Sequence, residues 1–219
     1  MNQLKNLLFD LDGTLVHTLP GIEESFLIAI KRVLPDAAAG QLQMRIGPPL
    51  REMFRLALGE ISVGQLDELV SQFRSHYDSQ GWEKTVECSG ASGVLKTLRE
   101  KGMRCFVVTN KIAFPTSRIL TSLGLESYFE DIVCLDSRTP NFQSKTEIAT
   151  FVIDKHCLSK EGTVLVGDSR DDATAAQVCG VKFILAKYGY GWPMELSDIS
   201  VHQTINSLQE IASYSDQQS

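Results

Sequence analysis

Two pairs of aspartates in this chain could do chemistry together. Asp10 and Asp12 fall in Asp10-Leu11-Asp12-Gly13-Thr14, and Asp168 and Asp172 fall in Gly167-Asp168-Ser169-Arg170-Asp171-Asp172. Brought to one place, four carboxylates repel and raise each other's pKa. A hard divalent cation such as Mg²⁺ resolves that, because it takes a few carboxylates together with waters and a phosphate oxygen. Thr109, Asn110 and Lys145 add donors suited to an anion. Carboxylates, a cation and an anion cradle point to phosphoryl transfer through a carboxylate nucleophile.

Singly, each signal has a plainer explanation. Asp-x-Asp-Gly is common in turns, Thr-Asn after a strand is commonly a helix cap, and a lone Lys is usually solvated. A calcium loop starting at Asp10 would need Gly at its sixth position and Glu at its twelfth, where the chain has Leu15 and Gly21. The weight comes from order: each group follows or precedes an expected strand.

Those strands are short apolar runs. Leu4 to Phe9 is one, and Met103 to Thr109, Ile132 to Leu135, Thr163 to Val166 and Val181 to Ala186 are others. They alternate with helical stretches such as Ala91 to Lys101 and Thr146 to Ile153. Continuous β-rich runs separated by helices predict a parallel sheet covered on both faces, a doubly wound α/β core. Ligands in such sheets sit at the carboxyl ends of the strands, and the acidic, hydroxyl and amide groups above all fall there.

The stretch from 18 to 83 differs. Pro20 can start a helix, with Ile22, Phe26, Ile30 and Val33 at helical spacing. Pro48-Pro49 opens a second, and Ser62 with Gln65 forms a capping box for a third. The expected organisation is a core of 1–17 and 84–219 with a small α-helical cap, 18–83, inserted after the first strand. The polar end, Ser213 to Ser219, is expected to fray.

Composition narrows the classes. A chain of 219 residues with 43% apolar and 22% charged residues is globular, and its net charge of −6 lacks the basic footprint of a nucleic-acid binder. The five cysteines are widely spaced and never form CxxC, so neither a disulfide framework nor a zinc site is expected. No apolar run is long enough for a signal peptide or a membrane span, which points to the cytoplasm.

The chain resembles the haloacid dehalogenase-like (HAD) hydrolase superfamily over nearly its whole length. The family's first motif matches Asp10, Asp12, Gly13 and Thr14; its second, Thr109; its third, Lys145; its fourth, Gly167, Asp168 and Asp172. Ile46-Gly47-Pro48-Pro49-Leu50, Val108-Thr109-Asn110-Lys111 and Tyr188-Gly189-Tyr190-Gly191 look like the phosphoglycolate phosphatase-like branch. The resemblance implies a Rossmann-like core and an Mg²⁺-dependent phosphatase for small phosphorylated metabolites. Asp10 would attack phosphorus to give an aspartyl-phosphate, and Asp12 would serve as acid and then base. Asp10, the Asp12 backbone carbonyl, Asp168 and Asp172 would hold the metal, and Thr109, the Asn110 amide and Lys145 the phosphoryl group.

The pattern is broken at His17, where relatives often have Asp, and at Thr146, where many have Pro. A turn or packing role is expected for His17. Lys111 and Lys155 rival Lys145 but fit less well by order, and Asp171 rivals Asp172. Arg45, Arg51 and Arg55 of the cap could meet a second anionic group on the substrate, although Arg51 and Arg55, at i and i+4, equally suit a solvated helix face. A dehalogenase would have no use for Asp12. A sugar-phosphate mutase, a pyrophosphatase, a nucleotidase and a non-enzymatic phosphate-binding regulator are the other readings.

Overall fold

The computed structural model describes residues 4–36, 46, 48–191 and 199–217. Six parallel strands form the main sheet in the order β5-β4-β1-β6-β7-β8. They are β1 (Asn6–Phe9), β4 (Arg104–Thr109), β5 (Asp131–Cys134), β6 (Thr163–Gly167), β7 (Lys182–Ala186) and β8 (Gln203–Ile205). β1 sits in the middle with both neighbours bonded, so all four of its side chains are buried. This is the doubly wound α/β core that the apolar runs predict.

Alternation along the strands explains why the runs are continuous rather than half polar. Leu7 and Phe9 of β1, Val107 of β4 and Val164 of β6 belong to one apolar cluster, while Leu8, Phe106 and Leu165 belong to another. Successive side chains point to opposite faces, and both faces are covered. Helices α4 (Ala91–Glu100) and α5 (Ala113–Ser122) contribute to the first cluster. Helices α6 (Lys145–Lys155) and α7 (Arg170–Cys179) close the second.

The chain end differs from its expectation. α8 (Glu210–Gln217) covers most of the stretch expected to fray, and Ile211 and Tyr214 are buried in the first cluster. Two apolar groups one helical turn apart anchor a segment whose average composition is polar.

Between β1 and α4 the chain forms α1 (Leu19–Val33), α2 (Leu50–Leu58) and α3 (Val63–Tyr77). Ser62 caps α3 with the reciprocal Gln65 bond that its spacing predicts. These helices have their own apolar cluster, in which Phe26 stacks on Phe54 with ring centroids 4.4 Å apart and Phe73 stacks on Tyr77 at 5.3 Å. A Cβ on Gly21 would collide with the Gly81 carbonyl, so α1 meets the short turn Gly81–Lys84 backbone to backbone. Two minimal strands flank the insert: β2 (Val16–His17) pairs antiparallel with β3 (Val86–Glu87). No described helix is long and apolar enough to cross a membrane.

Candidate active site

The strand order reverses around β1: the next core strands run to β4 and β5 on one side, and β6 then lies on the other. Such a switch point opens a crevice at the carboxyl ends of the strands. Asp10 follows β1, Thr109 ends β4, and Asp168 follows β6. Just after Asp10, Gly13 takes φ +85°, and the Leu11 carbonyl accepts the amides of Thr14, Leu15 and Val16. This tight turn sets Asp12 at the mouth of the crevice.

Asp10, Asp168 and Asp172 are buried, and each offers a carboxylate oxygen within 4.8 Å of the others. Burial pushes the Asp10 carboxyl well above its usual range against the pull of Lys145, with the neighbouring aspartates adding to the rise. Burial and Asp172 raise Asp168 to about 6. An all-oxygen set of crowded carboxylates fits a hard divalent cation, which would relieve the repulsion.

Each aspartate is held by a different local device. Asp172 is the third residue of α7, where one oxygen accepts the Ser169 amide at 3.0 Å and its hydroxyl at 2.5 Å. Its other oxygen turns to Lys145. A carboxylate at a helix start also benefits from the helix dipole. The Asp168 Oδ2 accepts the backbone amides of Tyr190 at 2.5 Å and Gly191 at 3.1 Å. A Cβ at Gly13, Gly189 or Gly191 would strike Asp168 or its backbone, so glycine lets two chain segments close on this one residue.

Lys145 Nζ sits 2.6 Å from both Asp10 Oδ1 and Asp172 Oδ1. The ammonium lies at the first turn of α6, the unfavourable end of the dipole for a cation. Burial also works against its charge, yet Asp10 and Asp172 outweigh burial and hold its pKa above the usual value.

Asp12 lies outside the group of three carboxylates, and its side chain pairs with Lys111 Nζ at 3.0 Å. Lys111 also lies over the Tyr77 ring, 4.6 Å from its centroid. Of the rival lysines, Lys111 thus reaches the site but faces Asp12, while Lys155 pairs with Asp131 at 2.8 Å, away from it. Asp171 accepts the Asn110 side-chain amide at 3.2 Å, and Thr109 accepts the Lys111 amide at 3.1 Å. His17 Nδ1 is 3.0 Å from the Tyr190 hydroxyl, which also accepts the amides of Thr18 and Leu19. Arg51 pairs with Asp67 and lines the crevice; Arg55 lies beside Gly59 to Ser62, outside it; Arg45 lies outside the described residues.

The amides of Tyr190 and Gly191 and the Lys111–Asp12 pair extend the set that sequence reasoning assembles. The run Tyr188-Gly189-Tyr190-Gly191 carries glycines at 189 and 191, which was the available signal for a close approach.

A family model described as haloacid dehalogenase-like hydrolase matches residues 7–186. The tyrosine-protein kinase PtkA of Mycobacterium tuberculosis is 31% identical over 187 residues, covering 84% of this chain but only 62% of that protein. Less than two thirds of that relative therefore has a counterpart here. A phosphoglycolate phosphatase of Cereibacter sphaeroides is 31% identical over 199 residues, covering 85% of this chain and 87% of its own. A haloacid dehalogenase-like hydrolase from Streptococcus pneumoniae superposes with a TM-score of 0.84 at 23% identity, covering 98% of this chain and 99% of that one. With a family match over most of its length, the chain belongs to the haloacid dehalogenase-like hydrolases.

Proposed function

We propose that this protein is an Mg²⁺-dependent phosphatase that hydrolyses small phosphate monoesters through an aspartyl-phosphate on Asp10. The observation that carries the reading is the buried ion-pair cluster: Asp10 and Asp172 share the Lys145 ammonium, with Asp168 alongside and Asp12 two residues beyond the nucleophile.

Asp10, Asp168, Asp172 and the Asp12 backbone carbonyl would hold the cation. When bound, the cation supplies positive charge against the carboxylates and polarises the phosphoryl group. The Asp10 carboxylate forms the new O–P bond as the ester O–P bond breaks. The Asp12 carboxyl gives its proton to the leaving alkoxide. It then takes a proton from the water that attacks phosphorus, which releases Asp10 and inorganic phosphate. Lys145, Thr109 and the Asn110 amide would bind the phosphoryl oxygens, so that positioning and electrostatics do most of the work. Helices α1 to α3 would serve as a cap that excludes water and contacts the leaving group. The five cysteines are free, which suits a reducing cytoplasm.

The test is phosphate release from p-nitrophenyl phosphate with Mg²⁺ and with excess chelator. Turnover that stops with chelator and returns with Mg²⁺ supports the reading. Undiminished turnover in chelator, or a near-wild-type rate in Asp10→Asn, overturns it.

A further inference from the structure

The crevice above Asp10 opens into a cavity of about 330 Å³ between α2, α3 and the carboxyl edge of the sheet. That lies at the lower end of the roughly 300–1,000 Å³ of small-molecule sites. Its floor carries Asp10, Asp12 and Lys145. Its far wall is mostly apolar, with Leu50 and Met53 of α2, Val70, Phe73 and Tyr77 of α3 and Pro115 of α5 opposite, and Arg51 and Arg74 among them.

We propose that this wall selects phosphate monoesters of uncharged arylalkyl alcohols, with the ring seated against Phe73. The proposal rests on the phosphatase reading and names its substrate class.

Three observations carry it. First, the wall suits an aromatic ring. Phe73 and Tyr77 stack at 16° between planes, and Phe54 braces Phe73 edge-on at 6.4 Å. A ring held this way is rigid, and a further ring can pack on it offset or edge-on.

Second, three of the four cations among the described lining residues already face a carboxylate. Lys145 meets Asp10, Lys111 meets Asp12 at 3.0 Å, and Arg51 pairs with Asp67. The fourth, Arg74, also lines the cavity, and its charge lowers the carboxyl of Asp78 against the rise that burial causes. A leaving group with its own carboxylate would have to displace one of these partners or draw Arg74 away from Asp78, and would be desolvated beside Asp12 and Asp78.

Third, at about 330 Å³ the cavity has more room than a phosphoryl group and two carbons fill. A glycolate-sized group next to the phosphoryl position would leave the apolar wall of Leu50, Met53 and Val70 uncovered, whereas an arylalkyl group buries it.

The test compares ethyl phosphate, 2-phosphoglycolate and 2-phenylethyl phosphate. All three leave as primary alkoxides, so differences in kcat/KM report the pocket more than the chemistry. One methylene in an apolar pocket is worth about 10–200-fold in kcat/KM. The expected result is at least about tenfold higher kcat/KM for 2-phenylethyl phosphate than for either other ester. Val70→Lys, which puts an ammonium into the wall, should lower the 2-phenylethyl rate and narrow the gap to 2-phosphoglycolate. Equal rates across the series, a preference for 2-phosphoglycolate, or a ranking unmoved in folded Val70→Lys overturns the proposal while leaving the phosphatase reading intact.

Calorimetry on the wild-type protein with 3-phenylpropylphosphonate and 3-phosphonopropionate, which cannot be hydrolysed, separates the two readings. Tighter binding of 3-phenylpropylphosphonate supports the pocket even if no ester is turned over, an outcome in which only the phosphatase reading fails. Equal or weaker binding overturns the pocket, whether or not Val70→Lys folds.

Discussion

Lys145 Nζ stands 2.6 Å from Asp10 Oδ1, and both side chains are almost wholly out of solvent. The same ammonium serves Asp172 at 2.6 Å, so one cation answers two buried carboxylates. Removing one partner of a buried pair costs about 3–5 kcal/mol, because the other charge is left uncompensated. Lys145→Met should lower unfolding stability by that amount in urea titrations, with turnover lost. Added Mg²⁺ should restore part of the stability by replacing the missing charge. A loss below about 1 kcal/mol would show that the carboxylates are not relying on Lys145.

Asp12→Asn should slow turnover of an alkyl phosphate by about 10²–10⁴-fold, the usual contribution of general acid–base catalysis. Asp10→Asn should abolish turnover and covalent labelling from a phosphorylated substrate. Rapid-quench assays on both variants, with melts to show that they are folded, check this. Equal labelling in Asp10→Asn and wild type would remove the nucleophile.

The Tyr190 phenol accepts the backbone amides of Thr18 at 2.6 Å and Leu19 at 3.1 Å, while its own amide serves Asp168. Tyr190→Phe deletes only the first function. Leaving a buried donor unpaired costs about 1–3 kcal/mol. Stability should fall by about that much, and Mg²⁺ affinity should stay within about threefold, since Asp168 is bonded by main chain. Calorimetric titration with Mg²⁺ checks the second part; affinity that falls in step with stability would refute it.

Asp131 accepts His156 Nε2 and Lys155 Nζ, each at 2.8 Å. Burial would raise its carboxyl, but these partners outweigh burial and hold it below the usual range. With the folded value below the unfolded one, the unfolded state binds more protons in acid. The contribution is therefore full above the ordinary carboxylate range and is lost as pH falls through the lowered value. Asp131→Asn should destabilise at pH 7, and less so at pH 3. The difference should not exceed about 1 kcal/mol, because Lys155 is half exposed and solvent screens the pair. Denaturation at the two pH values measures it.

The elements around the site were legible where burial on both sheet faces forces an unbroken apolar run. Thr163 to Val166 and Met103 to Thr109 are such runs, and β6 and β4 begin within one residue of them. β8 has no such signature: of Gln203, Thr204 and Ile205 only Ile205 is buried, and its register with β7 makes it a strand. Asp10, Asp168, Asp172 and Lys145 could be singled out because their chemistry resides in the side chains. The support that Asp168 draws from Tyr190 and Gly191 is main-chain, and a backbone amide leaves no residue type to read. Lys111 ranks below Lys145 by chain order, and only the fold shows that the two serve different aspartates.

His17 and Val86 are direct partners in the β2–β3 ladder. To the sheet, everything between them is one hairpin loop whose ends already meet. Lengthening such a loop adds little closure entropy, so the helices it carries can be exchanged for others without shifting the register of a single core strand. On the proposed reading of the cap, the joint makes the leaving-group side an interchangeable part. A chimaera spliced at His17 and Val86 would carry a new preference on an unchanged reaction centre, a route by which lineages can trade substrates while keeping their chemistry.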